Sequence, residues 1–261
     1  IHNSLPNASF IGFTGTPIAE TYQTFGEEID RYTMDQSVAD GLTVDIKYHP
    51  RIAKVLLDKE KVQEIEAYYK NPDYVHDFYN EMKPELWNAK PNKAHLAITK
   101  LQKEYPADVH IITQNVDTLH EKAKSKNIYH IHGQINQAVC MNCGQVLETW
   151  GDVTSETVCK NCQVMGMMKP NIVFFGENLL YMDKVEELLR TCDLFVSVGT
   201  SGVVFPAASF VQTAKYYGAD TIEFNLEATS NNFYFDKHVM GKAGETLPKF
   251  VDELLSKVSD S

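Results

Sequence analysis

Four of the five cysteines fall into two close pairs, and this spacing favours a metal site. The pairs are Cys140 with Cys143 and Cys159 with Cys162, and fifteen residues separate them. Two thiolates at this spacing can hold one ion from a tight turn, and two such turns complete a tetrahedron of ligands. Because four protein ligands leave no open position, we predict a structural zinc site. Free thiols or redox pairs are the less favoured alternative.

Three polar segments lie beside short apolar stretches and are candidates for a catalytic site. Residues 113–120 (TQNVDTLH) follow one apolar stretch, and residues 199–201 (GTS) follow another. Residues 130–133 (HIHG) lie directly before the cysteine pairs. A histidine such as His132 suits a general base because its unperturbed pKa lies near neutrality. Each segment alone is compatible with an ordinary loop.

Strand-like and helical patterns alternate along the chain, which predicts an α/β fold. Strands are predicted at 109–113, 171–175, 194–198 and 221–224. Helices are predicted at 59–82 (broken at Asn71-Pro72), 94–101, 182–189, 207–217 and 247–258. Such alternation is typical of a doubly wound, mostly parallel Rossmann-like sheet, with its ligand crevice at the carboxyl ends of the strands. Residues 134–170 break the alternation and are interpreted as an inserted zinc-binding module, a small second domain.

Composition and charge restrict the classes of partner. The 261 residues suit one large α/β domain, and the net charge is −11. Such a chain is a poor binder of polyanions, so we expect no nucleic-acid partner. The sequence contains no stretch of 18 apolar residues, so we expect no membrane span. Paired cysteines without a disulfide pattern favour a reducing, cytoplasmic setting, and Cys192 is expected to be a buried, inert thiol.

Together, the ordered segments resemble the sirtuin (Sir2) family of NAD-dependent protein deacylases, over about residues 70–258. Gln114-Asn115-Val116-Asp117 is similar to the family's Gln-Asn-Ile-Asp loop, and His132-Gly133 to its catalytic His-Gly. Residues 169–177 (KPNIVFFGE) are similar to its substrate-binding segment. Further matches are PNKAH at 91–95, GTS at 199–201, NLE at 225–227 and GKA at 241–243.

The resemblance implies that NAD is a co-substrate and His132 the general base. In this chemistry the acyl-lysine carbonyl attacks the nicotinamide ribose, nicotinamide leaves, and the base activates a ribose hydroxyl. The implied NAD contacts are Gln114, Asn115, Val116, Asp117, Gly199, Thr200, Ser201, Asn225, Leu226, Glu227 and Ala243. The implied peptide contacts are Val173, Phe174, Phe175, Gly176 and Val203. His130 is interpreted as structural, and His120 receives no role.

The N-terminal segment departs from the family pattern. The family begins with a glycine- and serine-rich phosphate loop that ends in an arginine, and here only a few positions match it, namely Gly15, Ala19, Glu20 and Phe25. Residues 4–55 instead resemble a helicase motif of type I restriction-enzyme motor subunits. No phosphate loop of the ATPase type occurs in the chain. We expect residues 1–58 to be an atypical segment whose 10–14 stretch supplies a first strand, and residues 59–261 to be the sirtuin-type domain.

The expected activity is NAD-dependent lysine deacetylation, an acyl transfer from an acetylated protein or peptide to ADP-ribose. Sirtuins that prefer succinyl or malonyl groups use a Tyr-x-x-Arg pair, and its counterpart here is Tyr79 with Met82. Methionine cannot replace a bidentate Arg–carboxylate bond, so uncharged acyl groups are favoured. A second hypothesis is a catalytically impaired sirtuin-fold binding protein, because the phosphate loop is atypical. A third is an ADP-ribosyltransferase or NAD glycohydrolase.

Overall fold

The computed structural model describes residues 65–229 and 231–259. Its α-helices are α1 Ile65–Lys70, α2 Pro72–Asn88, α3 Lys93–Glu104, α4 Leu119–Lys122, α5 Met182–Thr191, α6 Phe210–Tyr216 and α7 Ala243–Ser259. Its strands are β1 Ile111–Thr113, β2 Ile128–His130, β3 Gly133–Cys140, β4 Val146–Glu148, β5 Met168–Ile172, β6 Leu194–Val198, β7 Asp220–Asn225 and β8 Lys237–Met240. The strand expected at residues 10–14 lies outside the described residues.

The parallel strands confirm the α/β class, but within the described ranges they form two sheets instead of one. Strand β1 pairs with β2, and β6, β7 and β8 pair in that order. One apolar cluster joins the two sheets, because Ile112 of β1 and Phe195 of β6 both pack against helices α5 and α6. The carboxyl ends of these strands carry the segments that the sequence marks as candidate sites.

A third sheet is antiparallel and carries the first cysteine pair. Its order is β4-β3-β5, and Cys140 at the end of β3 lies opposite Met168 of β5. The strand predicted at 171–175 is therefore wrong in position, since the observed strand ends at Ile172. The chain turns after that residue because the Glu177 carboxylate accepts the backbone N–H of Phe174 at 2.8 Å.

Local sequence signals explain where the first helices begin. Asn71 accepts the backbone N–H of Tyr74 at 3.2 Å and Pro72 occupies the first turn of α2, which confirms the predicted break. Asn92 caps α3 in a reciprocal arrangement with His95. The helix expected over 207–217 is shorter, since a 3₁₀ turn at Ala207–Ser209 precedes α6. Among the described helices, none is both long and apolar enough to span a membrane.

Candidate functional site

His132 lies in the turn between β2 and β3, and its ring is held by the loop after β1. Its Nδ1 lies 3.1 Å from the carbonyl oxygen of Gln114. Because a carbonyl only accepts, Nδ1 carries the proton and the lone pair is left on Nε2. Burial lowers the pKa of His132, an effect that the bond to Gln114 partly opposes. The half-buried imidazole therefore stays neutral near pH 7 and can accept a proton.

Gly133 fixes the position of this turn against the segment expected to bind substrate. Its φ is +83°, and a Cβ there would lie 1.9 Å from the carbonyl oxygen of Asn171. The next contact joins the same two segments, since the N–H of Val173 donates to the His132 carbonyl at 2.9 Å. A side chain at position 133 would force these segments apart, so glycine is a steric requirement.

The loop after β1 holds the residues that the resemblance assigns to the nicotinamide end of NAD. The N–H of Asn115 donates to Thr113 Oγ1 at 3.1 Å, and Asp117 accepts the N–H of Leu119 at 2.8 Å. The carbonyl of Val116 accepts the N–H of Ile135 at 2.8 Å. The loop is thus bonded at successive backbone positions, while Asn115 itself is exposed and available to a ligand.

His130 adds a contact that the sequence did not reveal. Its Nδ1 lies 3.0 Å from the carbonyl of Asn115, and its Nε2 lies 2.7 Å from Glu121 Oε1. The burial of His130 agrees with its structural interpretation, whereas its partner Glu121 is not among the residues that the sequence singles out. Nothing in the spacing links position 121 to position 130, because one residue is on a helix and the other on a strand.

The segments expected at the ribose and adenine end of NAD meet at the ends of β6 and β7. Asn225 Nδ2 donates to the Thr200 carbonyl at 2.7 Å, and the N–H of Gly241 donates to the Asn225 carbonyl at 2.9 Å. The side chain of Asn225 thus holds the 199–201 loop beside the end of β8. Four of the predicted contact residues near these ends are exposed: Gly199, Ser201, Leu226 and Glu227. Ala243 is the first residue of α7 and packs partly buried against the core.

A polar network surrounds the buried carboxylate of Glu223 on β7. Glu223 is 2% exposed, accepts a bond from Thr229 and lies 3.1 Å from His238 Nδ1. Thr229 Oγ1 also lies 2.8 Å from Asn231 Oδ1, and a Cβ at Gly202 would lie 2.3 Å from that same oxygen. The Asn231 side chain therefore packs closely against Gly202, the residue before Val203, where the resemblance expects the substrate peptide.

The substrate segment is anchored from its buried side. Phe174 is 1% exposed, so its side chain belongs to the core, whereas Phe175 and Val203 are exposed. Glu177 binds Lys169 Nζ at 3.0 Å, and this ammonium lies 4.2 Å from the centre of the Phe174 ring. Burial lowers the pKa of Lys169, while Glu177 opposes that shift. Since the N–H groups of Val173 and Phe174 already donate within the protein, a peptide must bond to other backbone atoms of residues 173–176.

The four paired cysteines converge as a metal site requires. Their sulfur atoms all lie within 4.8 Å of one another, and the Cys140–Cys162 and Cys143–Cys159 sulfurs are each 3.7 Å apart. Tetrahedral zinc with Zn–S bonds of about 2.3 Å needs sulfurs about 3.8 Å apart, so the donor set fits zinc. The site is structural because all four positions are taken by protein ligands. Cys192 lies outside it and is partly buried, which corrects the expectation of a buried thiol.

The expected phosphate-loop residues Gly15, Ala19, Glu20 and Phe25 lie outside the described residues. Within the described residues, the candidate site therefore consists of the loop after β1, His132, the loops that follow β6 and β7, and residues 173–176.

Comparison with known proteins supplies the family context. The model of the Sir2 family matches residues 48–206. The NAD-dependent protein deacylase of Vibrio vulnificus is 44% identical over 204 residues, which cover 77% of this chain and 83% of that protein. The NAD-dependent protein deacylase SIR2rp3 of Leishmania major is 45% identical over 203 residues, covering 76% and 84%.

Solved structures agree with these relatives. A Sir2 homologue in complex with ADP-ribose is 29% identical with a TM-score of 0.73, covering 86% of this chain and 90% of that chain. A Sir2 homologue–NAD complex is 32% identical with a TM-score of 0.70, covering 77% and 78%. A second family model, SWI2/SNF2 ATPase, matches residues 1–76, which is compatible with the helicase-like resemblance of that segment.

Proposed function

The chain belongs to the Sir2 family, and on that premise we propose that it is an NAD-dependent protein lysine deacetylase with His132 as its general base. Its relatives are named NAD-dependent protein deacylases, which supports the broader activity. The observation that carries the proposal is the bond from His132 Nδ1 to the Gln114 carbonyl at 3.1 Å. This bond orients a neutral imidazole and leaves Nε2 to accept a proton.

Some of the described residues are proposed to bind NAD, and another to take up a proton. NAD itself supplies the nicotinamide leaving group and the ribose that accepts the acyl group. Asn115 and Asp117 are proposed to bind the nicotinamide end, on a loop in which the N–H of Asn115 donates to Thr113 Oγ1 and the Asp117 carboxylate accepts the N–H of Leu119. His132 would take the proton of a ribose hydroxyl once nicotinamide has left. The lowered pKa of His132 supports this role because the base must be unprotonated before it reacts.

The acyl preference rests on helix α2. Tyr79 is 3% exposed, and Met82 packs against the same apolar cluster. The single lysine of α2, Lys83, donates to the Gly151 carbonyl at 2.6 Å and to Asn80 Oδ1 at 3.2 Å. Its ammonium is thus held by the 149–153 segment and by its own helix. No cation of α2 therefore serves an acidic acyl group, and this supports acetyl or other uncharged groups over succinyl.

Nicotinamide release tests the proposal directly. Purified, zinc-loaded protein is incubated with NAD, with and without an acetyl-lysine peptide. We expect peptide-dependent release that falls by at least about 100-fold in His132→Ala, because a positioned base contributes about 10²–10⁴ to rate. His110→Ala is the matched control, since this histidine precedes β1 and its ring lies 6.0 Å from the ring of Tyr129. Zinc content and far-UV circular dichroism check that both variants fold.

Other outcomes of the assay separate the competing functions. Absence of release from folded, zinc-loaded protein would support a catalytically impaired binding protein, for which the atypical residues at 15–25 are the specific observation. Release that does not need peptide would support an NAD glycohydrolase. Transfer of labelled ADP-ribose to protein would support an ADP-ribosyltransferase.

A second assay tests the acyl preference. Rates are compared on acetyl-, succinyl- and myristoyl-lysine forms of one peptide, the last because a solved Sir2 structure contains a myristoylated histone peptide. We expect the succinyl peptide to be slowest. Met82→Arg should raise succinyl turnover by about tenfold or more, since a bidentate ion pair becomes possible, while Met82→Leu should not. Faster turnover of succinyl than acetyl peptide by the unaltered chain would contradict the assignment.

A further inference from the structure

Two histidines hold two successive carbonyls of the loop after β1. His132 Nδ1 lies 3.1 Å from the carbonyl of Gln114, and His130 Nδ1 lies 3.0 Å from the carbonyl of Asn115. These carbonyls belong to the two peptide planes on either side of the Asn115 Cα atom. Because the orientation of both planes sets φ and ψ at that residue, it also sets the direction in which the Asn115 side chain leaves the backbone.

The two rings differ at their second nitrogen. Within the described residues, no protein group bonds to His132 Nε2, and this atom keeps its lone pair. His130 Nε2 lies 2.7 Å from Glu121 Oε1, and the His130 side chain is only 5% exposed. Carbonyl and carboxylate oxygens are both acceptors, so His130 needs an N–H at each ring nitrogen. It meets both needs only as an imidazolium, unless the carboxyl group of Glu121 holds the second proton.

The proton belongs on the imidazole because hydrogen bonds to the Glu121 carboxylate favour its ionised form. Burial raises the pKa of Glu121, but the bonds from His130 and from its own backbone N–H outweigh burial and leave that pKa lowered. The other titratable groups around the pair do not compete with His130 for this proton. His120 is neutral at pH 7 because burial lowers its pKa to about 4. The His95 ring packs against the His120 ring, with their centroids 4.8 Å apart, and the charge of Asp117 acts on His120.

We propose that His130 is a protonated imidazolium at neutral pH and, paired with Glu121, is a positioning residue for the loop that presents Asn115 and Asp117 to NAD. The charge of His130 strengthens its bond to the Asn115 carbonyl. His132 remains the neutral base, so neighbouring histidines with the same Nδ1 contact have different protonation states. The link to NAD rests on the proposed function, whereas the charge state of His130 does not.

Nitrogen NMR of the full-length, zinc-loaded protein with ¹⁵N-labelled histidine tests the charge state without any activity measurement. The His130 and His132 signals are identified by their loss in His130→Gln and His132→Gln. At pH 7.5 we expect both ring nitrogens of His130 to be protonated and one nitrogen of His132. An unprotonated Nε2 on His130 at this pH would overturn the proposal. In Glu121→Gln the amide can donate to a neutral ring, so His130 should become neutral. Glu104→Gln, at an exposed glutamate on α3, is the control.

Kinetics test the positioning role. In Glu121→Gln, the KM for NAD should rise about tenfold with kcat within about twofold, the change expected when a charge-assisted bond becomes a neutral one. Glu121→Asp keeps the carboxylate and should stay closer to the unaltered enzyme. A purely structural role would instead lower the melting temperature and leave KM unchanged. Equal KM values for all three folded proteins would overturn the positioning role, even with a protonated His130.

Discussion

The zinc site and the base site lie at opposite ends of strand β3, and they are built from different kinds of contact. At the Cys140 end, four side chains converge on one point, with sulfurs within 4.8 Å of one another. At the Gly133 end, the proposed base His132 is placed by one backbone carbonyl, by the close approach of Asn171 and by the bond from Val173. The difference teaches that a metal site depends on side-chain identity, whereas the base depends on backbone geometry.

Loss of a zinc ligand should have the largest effect. Cys159 is fully buried among the module's apolar residues, so Cys159→Ala removes both a ligand and the closed site. We expect zinc content to fall from about one equivalent to near zero and the antiparallel sheet to lose its protection from hydrogen exchange, because metal binding is coupled to folding. Cys192→Ala lies outside the cluster and should keep full zinc. Stoichiometric, chelator-resistant zinc in the Cys159 variant would contradict the conclusion that the metal site depends on the identity of its four side chains.

Alanine substitution at two glycines contrasts the regions directly. Both have positive φ, but a Cβ at Gly133 meets Asn171 at 1.9 Å, whereas a Cβ at Gly144 in the zinc knuckle meets nothing within 4 Å. Gly133→Ala should cost about 3 kcal/mol or more, from left-handed strain plus overpacking, and should also abolish nicotinamide release. Gly144→Ala should cost about 1–2 kcal/mol and keep activity. Chemical denaturation measures both, and equal losses would show that backbone packing is no tighter at the base than at the zinc knuckle.

Acid should weaken the base region through His120. Burial lowers its pKa to about 4, so the folded protein keeps this ring neutral while the unfolded chain protonates it below about pH 6.5. Its contribution, about 3 kcal/mol, is therefore present above pH 6.5 and lost as pH falls toward 4. In His120→Gln the free energy of unfolding should fall less steeply between pH 6.5 and 5. If the free energy of unfolding falls equally steeply with pH in both proteins, the acid sensitivity comes from other groups, such as the cysteine ligands.

The smallest effect is expected in the pH profile of catalysis. Because burial lowers the pKa of His132, the acid limb of kcat/KM should lie below the ordinary histidine value of about 6.5. Activity should then fall between pH 7.5 and pH 6 by less than the roughly fourfold loss that a base with a pKa of about 6.5 would show. The profile is measured where the protein stays folded and zinc-loaded. A limb at or above 6.5 would mean that the base is more solvated, or has an acidic neighbour, in the working enzyme.

Residue types alone determined much of this protein. The pairs Cys140/Cys143 and Cys159/Cys162 predicted the zinc site because thiolates at that spacing have few other uses. The ordered motifs around Gln114–Asp117 and His132-Gly133 predicted the family, and alternating patterns predicted the α/β class. In each case the signal is a side chain with distinctive chemistry or a period in hydrophobicity, and both can be recognised from the sequence alone.

Only the tertiary structure decided how the base is held and which residues support it. The Nδ1 atoms of His132 and His130 bond to backbone carbonyls, which every residue possesses, so no residue type in the sequence predicts these contacts. The pairs Glu121–His130 and Lys169–Glu177 join different elements, and hydrogen-bond geometry across packed elements depends on distances that no local pattern encodes. The position of β5 likewise followed from pairing with β3, since strand ends are set by partners as much as by propensity.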